Sequence, residues 1–470
     1  MADSRDLHTP EEEVRDGATT RRELLRRAGI GAATVAAYGI GGGTAFAKTK
    51  VAGATKYAGR ELKETLRIIQ WSHFVPAYDK WFDNVYIKRW GQANDTDVIV
   101  DHISQADIPA RAAAEVAAQS GHDIFFFLSP PAAYEDQVID HTEIVQEVTR
   151  KRGKIKDVAH RSTYNPKTKK YFAFSDNYVP DPIHYRTDLW GEIGLKPDSW
   201  DTILKAAPKL RATGHPIGIG MSNEIDSNMA LMALMMCFGS FIQNESQRVV
   251  LDSKATIDVL KFARELYRQG MSNEIFAWTA ASNNQAFLAG RLSLALNAIS
   301  IARSAEGLNP DLASKIDLLP IAQGPNGRLG LEHVMGAYVI WKFAKNPKMA
   351  KKFLADLEIK YIGAFENSKF YNFPSWPASV PNIKRRLERD PVAKPVGKYS
   401  VLGEIADKYT NNPGYPGFTN AAIDEIFNKF MIPQMFAEVA QDKRTAEDAV
   451  KVYHRSFKRI FTRWQNRGKI

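Results

Sequence analysis

Apolar residues along this chain follow two alternating rhythms. Short unbroken apolar runs, "TLRIIQW" (65–71), "DVIVDHIS" (97–104) and "HDIFFFLSPP" (122–131), are bounded by turn residues and predict buried strands. Between them, Tyr78 to Gln92 places Trp81, Phe82, Val85 and Trp90 on roughly one helical face, with Pro76 marking the start. "IPARAAAEVAAQSG" (108–121) predicts a second helix. Strands alternating with helices predict an α/β architecture with a parallel sheet covered on both faces. Ligands on such sheets bind beyond the carboxyl ends of the strands, which directs attention to the loops at Ser72-His73 and Ser129-Pro130.

The segment "KKYFAFSDNYVPDPIHYRTDLW" (169–190) breaks this rhythm. It is extended, aromatic and punctuated by Pro180 and Pro182, and it predicts a strand leading out of a first lobe. A second α/β run follows. "PDSWDTILKAAPKL" predicts a helix, "HPIGIGMS" a strand and "SNMALMALMMCFGS" a helix apolar on all sides. "DSKATIDVLKFARELYRQG" predicts an amphipathic helix closed by Gly270 as a C-cap. "ASNNQAFLAGRLSLALNAIS" predicts a helix, a glycine turn and a strand, and "GAYVIWKFAKNPKMAKKFLADL" a strand, a turn and a helix. The C-terminal stretch is mainly helical, with Thr445-Ala446-Glu447-Asp448 resembling a capping box at the last helix.

The first 47 residues carry a different signal. "TTRRELLRRAGIGAATVAAYGIGGGTAFA" (19–47) runs from basic to mildly apolar to Ala45-Phe46-Ala47, the order of a cleavable export signal. It is too glycine-rich for a membrane span, and Arg21-Arg22 looks like a twin-arginine signal, read by machinery that exports folded proteins. The expected cut is after Ala47, giving a periplasmic protein. No cysteine lies near that cut, so no lipid anchor is expected. Residues 48–61 are small and basic, a flexible lead-in. Export of a chain whose single cysteine, Cys237, sits among Leu and Met implies stability from core burial and no intramolecular disulfide. The formal net charge of +10 comes from scattered Lys and Arg with short clusters such as "IKRRLER", which argues for a solvated basic surface and against nucleic acid.

Reactive chemistry is sparse. The ten histidines are isolated, with no i+3 to i+5 pair for a helical metal site. "GIGMSNE" approaches a nucleophile elbow at Ser222, but Glu224 replaces the second glycine. "GPNGRLG" (324–330) lacks the Gly-Lys-Ser/Thr ending of a phosphate loop. Asp176 and Asp181 form a close pair suited either to acid–base catalysis or to orienting hydroxyls or cations. Abundant instead are aromatics beside Asn, Ser, Asp and His at expected loop ends: "WSHF", "SDNY", "GMSN", "NFPSW" and "NPGYPGF". Flat rings stack on sugar faces while amides and carboxylates bond hydroxyls.

Six stretches occur in an order seen in one known family: "WSHFVPAYDKWFDN", "DIFFF", "YFAFSDNYVPDPIHYRTDLWGEIGLKPDSWDTILKAAPKL", "AFLAGRLSLALNA", "AKNPKMAKKFLADL" and "DKRTAEDAVKVYHRSFKRI". In this the chain resembles the extracellular solute-binding proteins of family 1, the maltose-binding-like receptors of ABC importers, over roughly residues 62 to 462. It departs at Arg186-Thr187, where the family commonly has Asn-Lys, and at Ser199, which replaces a helix-opening Thr. The resemblance implies a two-lobe periplasmic-binding-protein fold (type II), with ligand held between lobes joined by crossing strands near Tyr171–Ser175, Ser293–Asn297 and Leu329–His333. Lobe one is then expected to be 62–174 plus 294–331, and lobe two 175–293 plus 332–470. The expected function is capture of a sugar or oligosaccharide by a monomer, without cofactor, metal or catalysis, for delivery to an ABC transporter permease. A polyol, polyamine or glycerophosphodiester ligand, and an exported carbohydrate-active enzyme, remain as alternatives. Expected ligand residues are Trp71, Ser72 and His73 after the first strand, Asp176, Asn177 and Tyr178 at the first crossing, and Asn223, Asp226 and Trp278 in lobe two. Asn297, Glu332 and His333 are expected at the other crossings, and Trp376 and Tyr415 as ring platforms in proline-broken loops.

Overall fold

A computed structural model describes residues 62–470; the expected export signal and the lead-in at 48–61 lie outside the described residues. The first three apolar runs form parallel strands β1 (Glu64–Trp71), β2 (Thr96–Ile103) and β3 (Ile124–Phe127). β1 pairs with β2 in unbroken register from Glu64 opposite Thr96 to Trp71 opposite Ile103. β3 is covered on both faces, which is why "IFFF" carries no polar alternation. Helix α1 (Ile108–Ala118) connects β2 to β3. The helix between β1 and β2 starts with Pro76 at its first turn and passes through a π-type turn at Phe82–Tyr86 before ending at Ala93.

The aromatic extended segment supplies β4 (Phe174–Tyr178) to this sheet and β5 (Ile183–Arg186) to another. The other strands of these two sheets are β6 (Ile217–Gly218), β7 (Leu294–Leu296), β8 (Ile316–Leu319), β9 (Met335–Ile340) and β10 (Phe373–Pro374). One lobe is built on a six-stranded sheet of order β10-β4-β9-β3-β1-β2, the other on a four-stranded sheet of order β8-β5-β7-β6.

This corrects the expected division of the chain. β7 and β8 bond to β5 and its neighbours, so the segment 294–331 contributes these strands to lobe two, while β9 and β10 return to the sheet of lobe one. The crossing that the resemblance implies at Ser293–Asn297 does not form: Leu294, Ala295 and Leu296 are fully buried in an internal strand of lobe two. The chain passes between the sheets at Val179–Pro182 and again at Glu332–Val334. These two passages hydrogen-bond to each other: the His333 amide donates to the Val179 carbonyl (2.8 Å) and the Val179 amide to the Val334 carbonyl (2.9 Å).

Helices α2 (Trp200–Ala212), α3 (Ile225–Cys237) and α4 (Lys254–Gly270) build lobe two. Ser199, Ser253 and Thr445 cap their helices through the amides of Thr202, Thr256 and Asp448. Gly270 is the last helical residue but not a left-handed cap. A Cβ there would lie 2.3 Å from that of Ala207, so glycine permits the close crossing of α4 on α2. α3 is buried nearly all round, with Cys237 inside it. The C-terminal helices α5 (Ala421–Asn428), α6 (Met431–Ala440) and α7 (Ala446–Asn466) follow. α6 and α7 pack on lobe two, while α5 also reaches the 132–137 turn of lobe one. No helix among the described residues is long and apolar enough to cross a membrane.

Candidate functional site

The loops beyond the carboxyl ends of β2, β3 and β6 converge with the C-terminal helices on a cavity of about 610 Å³. Lobe one supplies Gln105, Phe127, Ser129 and Tyr134; lobe two supplies Asn223, Glu224, Trp278 and Thr279. α5, Phe430 and Trp464 close the remaining side. Rings therefore line the cavity from three directions. Phe127 and Tyr134 pack with centroids 5.4 Å apart, and the Trp464 indole is fixed by donating to Glu425 (2.8 Å). Trp278 is held through its carbonyl, which accepts from the buried Ser222 hydroxyl (2.7 Å).

Two carboxyls sit in the same wall. Glu224 caps α3, accepting from the amides of Asp226 (2.7 Å) and Ser227 (2.6 Å). Burial, and then the negative charge of Asp226, push its pKa up to about 8. Asp424 accepts from the Ala133 amide (2.8 Å) and the Asn428 amide group (2.5 Å), joining α5 to lobe one; burial pushes it up to about 7. The wall thus offers carboxyl groups poised near neutrality, amides at Asn223 and Asn428, and a hydroxyl at Ser129.

Behind this cavity, at the passages between lobes, lies a closed polar cluster. His333 is flanked by Asp181 (3.2 Å) and Asp226 (3.3 Å), all three buried. Burial opposes a charged imidazole, but the two carboxylates outweigh it and raise the pKa to about 10. Asn283 and Asn297 donate to the second oxygen of Asp226 (2.8 and 3.2 Å), and Asn297 also reaches Asn284 (2.8 Å).

Of the residues expected from sequence, Asn223 and Trp278 line the cavity. Asp226, Asn297 and His333 meet in the buried cluster instead. Trp71 and His73 belong to a ring group with Tyr78 and Tyr371, where burial lowers His73 to about 4 and its Nε2 meets Asn372 (3.2 Å). Ser72 is exposed outside the cavity. Asp176, Asn177 and Tyr178 form buried β4 at the sheet, with Asn177 bonding Asp176 (2.6 Å). Glu332 is buried and accepts from Ser162 (3.3 Å). Trp376 is no platform: it is fully buried, stacks on Phe174 at 5.5 Å and donates to Thr149 (3.1 Å) inside lobe one. Tyr415 packs against Phe241, away from the cavity. Proline-broken loops here mark tight packing of the chain on itself. Sequence reasoning missed Gln105, Tyr134, Asp424, Phe430 and Trp464. Gln105 was within reach of the strand-end rule, since β2 runs parallel to β1; the others arrive by tertiary packing.

Two α/β lobes linked by paired chain passages, with a ring-and-carboxyl cavity walled by both, define a two-lobe solute-binding fold. The model of the bacterial extracellular solute-binding proteins matches residues 86–357, and the chain belongs to that family. No curated protein sequence matches it. Among solved structures, it is similar to an ABC transporter solute-binding protein from Thermotoga lettingae bound with α-D-tagatose. That likeness has 17% identity and a TM-score of 0.69, covering 85% of this chain and 100% of the other. A sugar transporter from Arthrobacter chlorophenolicus with bound laminaribiose gives 14% identity and a TM-score of 0.70, over 84% and 98% of the two chains. Maltose-bound T. maritima MalE3 gives 18% identity and a TM-score of 0.69, over 84% and 99%.

Proposed function

We propose that this protein is a periplasmic receptor that captures a sugar or oligosaccharide in the 610 Å³ cavity and delivers it to an ABC transporter permease. The observation that carries this reading is the cavity wall. Tyr134, Trp278, Phe430 and Trp464 offer ring faces, while Asn223, Glu224, Asp424 and Asn428 offer hydroxyl-bonding groups, drawn from both lobes and the C-terminal helices. Support also comes from the family and from neighbours whose structures hold tagatose, laminaribiose and maltose. Closure of the lobes about Val179–Pro182 and Glu332–Val334 is the hinge motion by which a bound solute signals to the permease. Export is assigned to the twin-arginine route, with cleavage after Ala47 and no lipid anchor, and the receptor acts as a monomer.

A thermal-shift screen against mono- and oligosaccharides, polyols, polyamines and phosphodiesters tests the reading. A ligand bound only by the folded state raises the melting temperature by mass action. The expected result is a shift with one carbohydrate class, recovered unchanged. Conversion of the hit into product would replace the receptor with an enzyme, and a shift confined to polyamines or phosphodiesters would replace the ligand class.

A further inference from the structure

Helix α7 carries Lys451, Arg455, Arg459, Arg463 and Arg467 at strict four-residue intervals, and all five are exposed. Four-residue spacing puts them in one row along the helix surface, about 24 Å long at 1.5 Å rise per residue. Lys458 stands beside the row, and no acidic residue occurs after Asp448. Arg463 pairs with Glu425, and Arg467 lies over the Trp464 ring at 4.8 Å. Among the described residues, Lys451, Arg455, Lys458 and Arg459 make no ion pair.

Nothing in the fold calls for this row. Like charges at i, i+4 destabilise a helix, and the helix dipole favours cations only in the last turn; that accounts for Arg463 and Arg467, and Glu447 one turn earlier accounts for Lys451, but neither accounts for Arg455, Lys458 or Arg459. No exposed apolar side chain interrupts the face, so it lacks the apolar core of a stable protein–protein interface. The C-terminal end of the row reaches the cavity: Trp464, which lines it, lies beside Arg463 and under Arg467, and Arg463 holds Glu425 of the cavity wall. A cationic row therefore flanks the cavity on an otherwise uncovered face.

We propose that the α7 ridge adsorbs this receptor on an anionic phospholipid surface, keeping its ligand cavity beside the bilayer. Charge complementarity selects the occupant: a flat array of phosphate headgroups meets a linear row of cations without requiring apolar contact. The inference rests on the exported-receptor reading only for where such a surface is met; the adsorption itself does not depend on which solute binds.

The test is co-sedimentation of the full chain with vesicles of one part phosphatidylglycerol to three of phosphatidylcholine, against phosphatidylcholine alone. The expected result is binding to the anionic vesicles only, weakening steeply between about 50 and about 300 mM salt. The triple variant K451Q/R455Q/R459Q should bind on the order of a hundredfold more weakly, at about fivefold per charge removed. The matched variant K384Q/R385Q/R389Q, altering exposed cations of the 383–388 helix and its end, should bind nearly as the parent does. Equal losses in both variants would reduce the effect to net charge and overturn the ridge. No adsorption by the parent, with permease-coupled uptake impaired in the ridge variant, would assign the row to an acidic protein surface and overturn the lipid. Thermal shifts by the solute should be the same in parent and ridge variant, so failure of the solute reading shows separately.

Discussion

Replacing His333 with Phe removes the only cation between Asp181 and Asp226 while keeping an aromatic ring of similar size. Moving an imidazole from 6.5 to about 10 corresponds to about 5 kcal/mol of preference for the charged form in the folded state. That figure is an upper bound, and removing one member of a buried charge pair costs about 3–5 kcal/mol. The sign is fixed by linkage. The pKa is raised above the unfolded value, so the stabilisation is complete below about pH 6.5 and is lost as pH rises through about 10. In His333→Phe the two carboxyls are left without their cation, and Asp181, already raised by burial, is pushed further toward its protonated form. Urea unfolding should therefore show a loss of about 3–5 kcal/mol at about pH 7.5 that shrinks at about pH 4.5, as protonation of Asp181 relieves the unpaired charge. A loss below about 1 kcal/mol at both pH values, or one of the same size at both, would refute the charge argument and leave only packing.

Trp278→Ala should weaken binding of the hit carbohydrate to the folded protein by about 2 kcal/mol, roughly thirtyfold, in calorimetry, and should also lower the melting temperature because the ring is buried. Trp376→Ala should do the reverse, costing about 3–5 kcal/mol of stability because it empties a site between Phe174 and Thr149, while leaving affinity in the surviving folded protein intact. Glu224 has a folded pKa raised to about 8, so its contribution is present below about pH 4.5 and lost as pH rises through 8. Glu224→Gln should flatten the fall of melting temperature across that window. Gly336→Ala should destabilise by more than about 1 kcal/mol on denaturant titration, since a Cβ there would lie 2.2 Å from Asn177 Nδ2 and 2.8 Å from Asp176 Oδ1, forcing β9 away from β4.

The apolar rhythm by itself determined the elements, β1 to β3 with their helices, the buried α3 and the amphipathic α4, and local polar residues marked the helix starts at Ser199 and Thr445. Each depends on residues within a few positions of one another, and local sequence carries that information. Of the residues proposed from sequence, Asn223, expected after "GIGMS", and Trp278 line the cavity. What only the tertiary structure decided is partnership across long separations. Whether "LALNA" crosses between lobes or stays in one sheet depends on β5, more than 100 residues earlier, offering it an open edge. Whether a tryptophan beside prolines meets ligand or core depends on what folds over it: Phe174 and Thr149 cover Trp376. Asp424 and Trp464 enter the cavity wall only because the C-terminal helices return to pack on lobe two and touch lobe one at Ala133. Hydrophobic burial is non-directional, so a sequence specifies which faces must be covered; the close packing of the whole chain specifies by what.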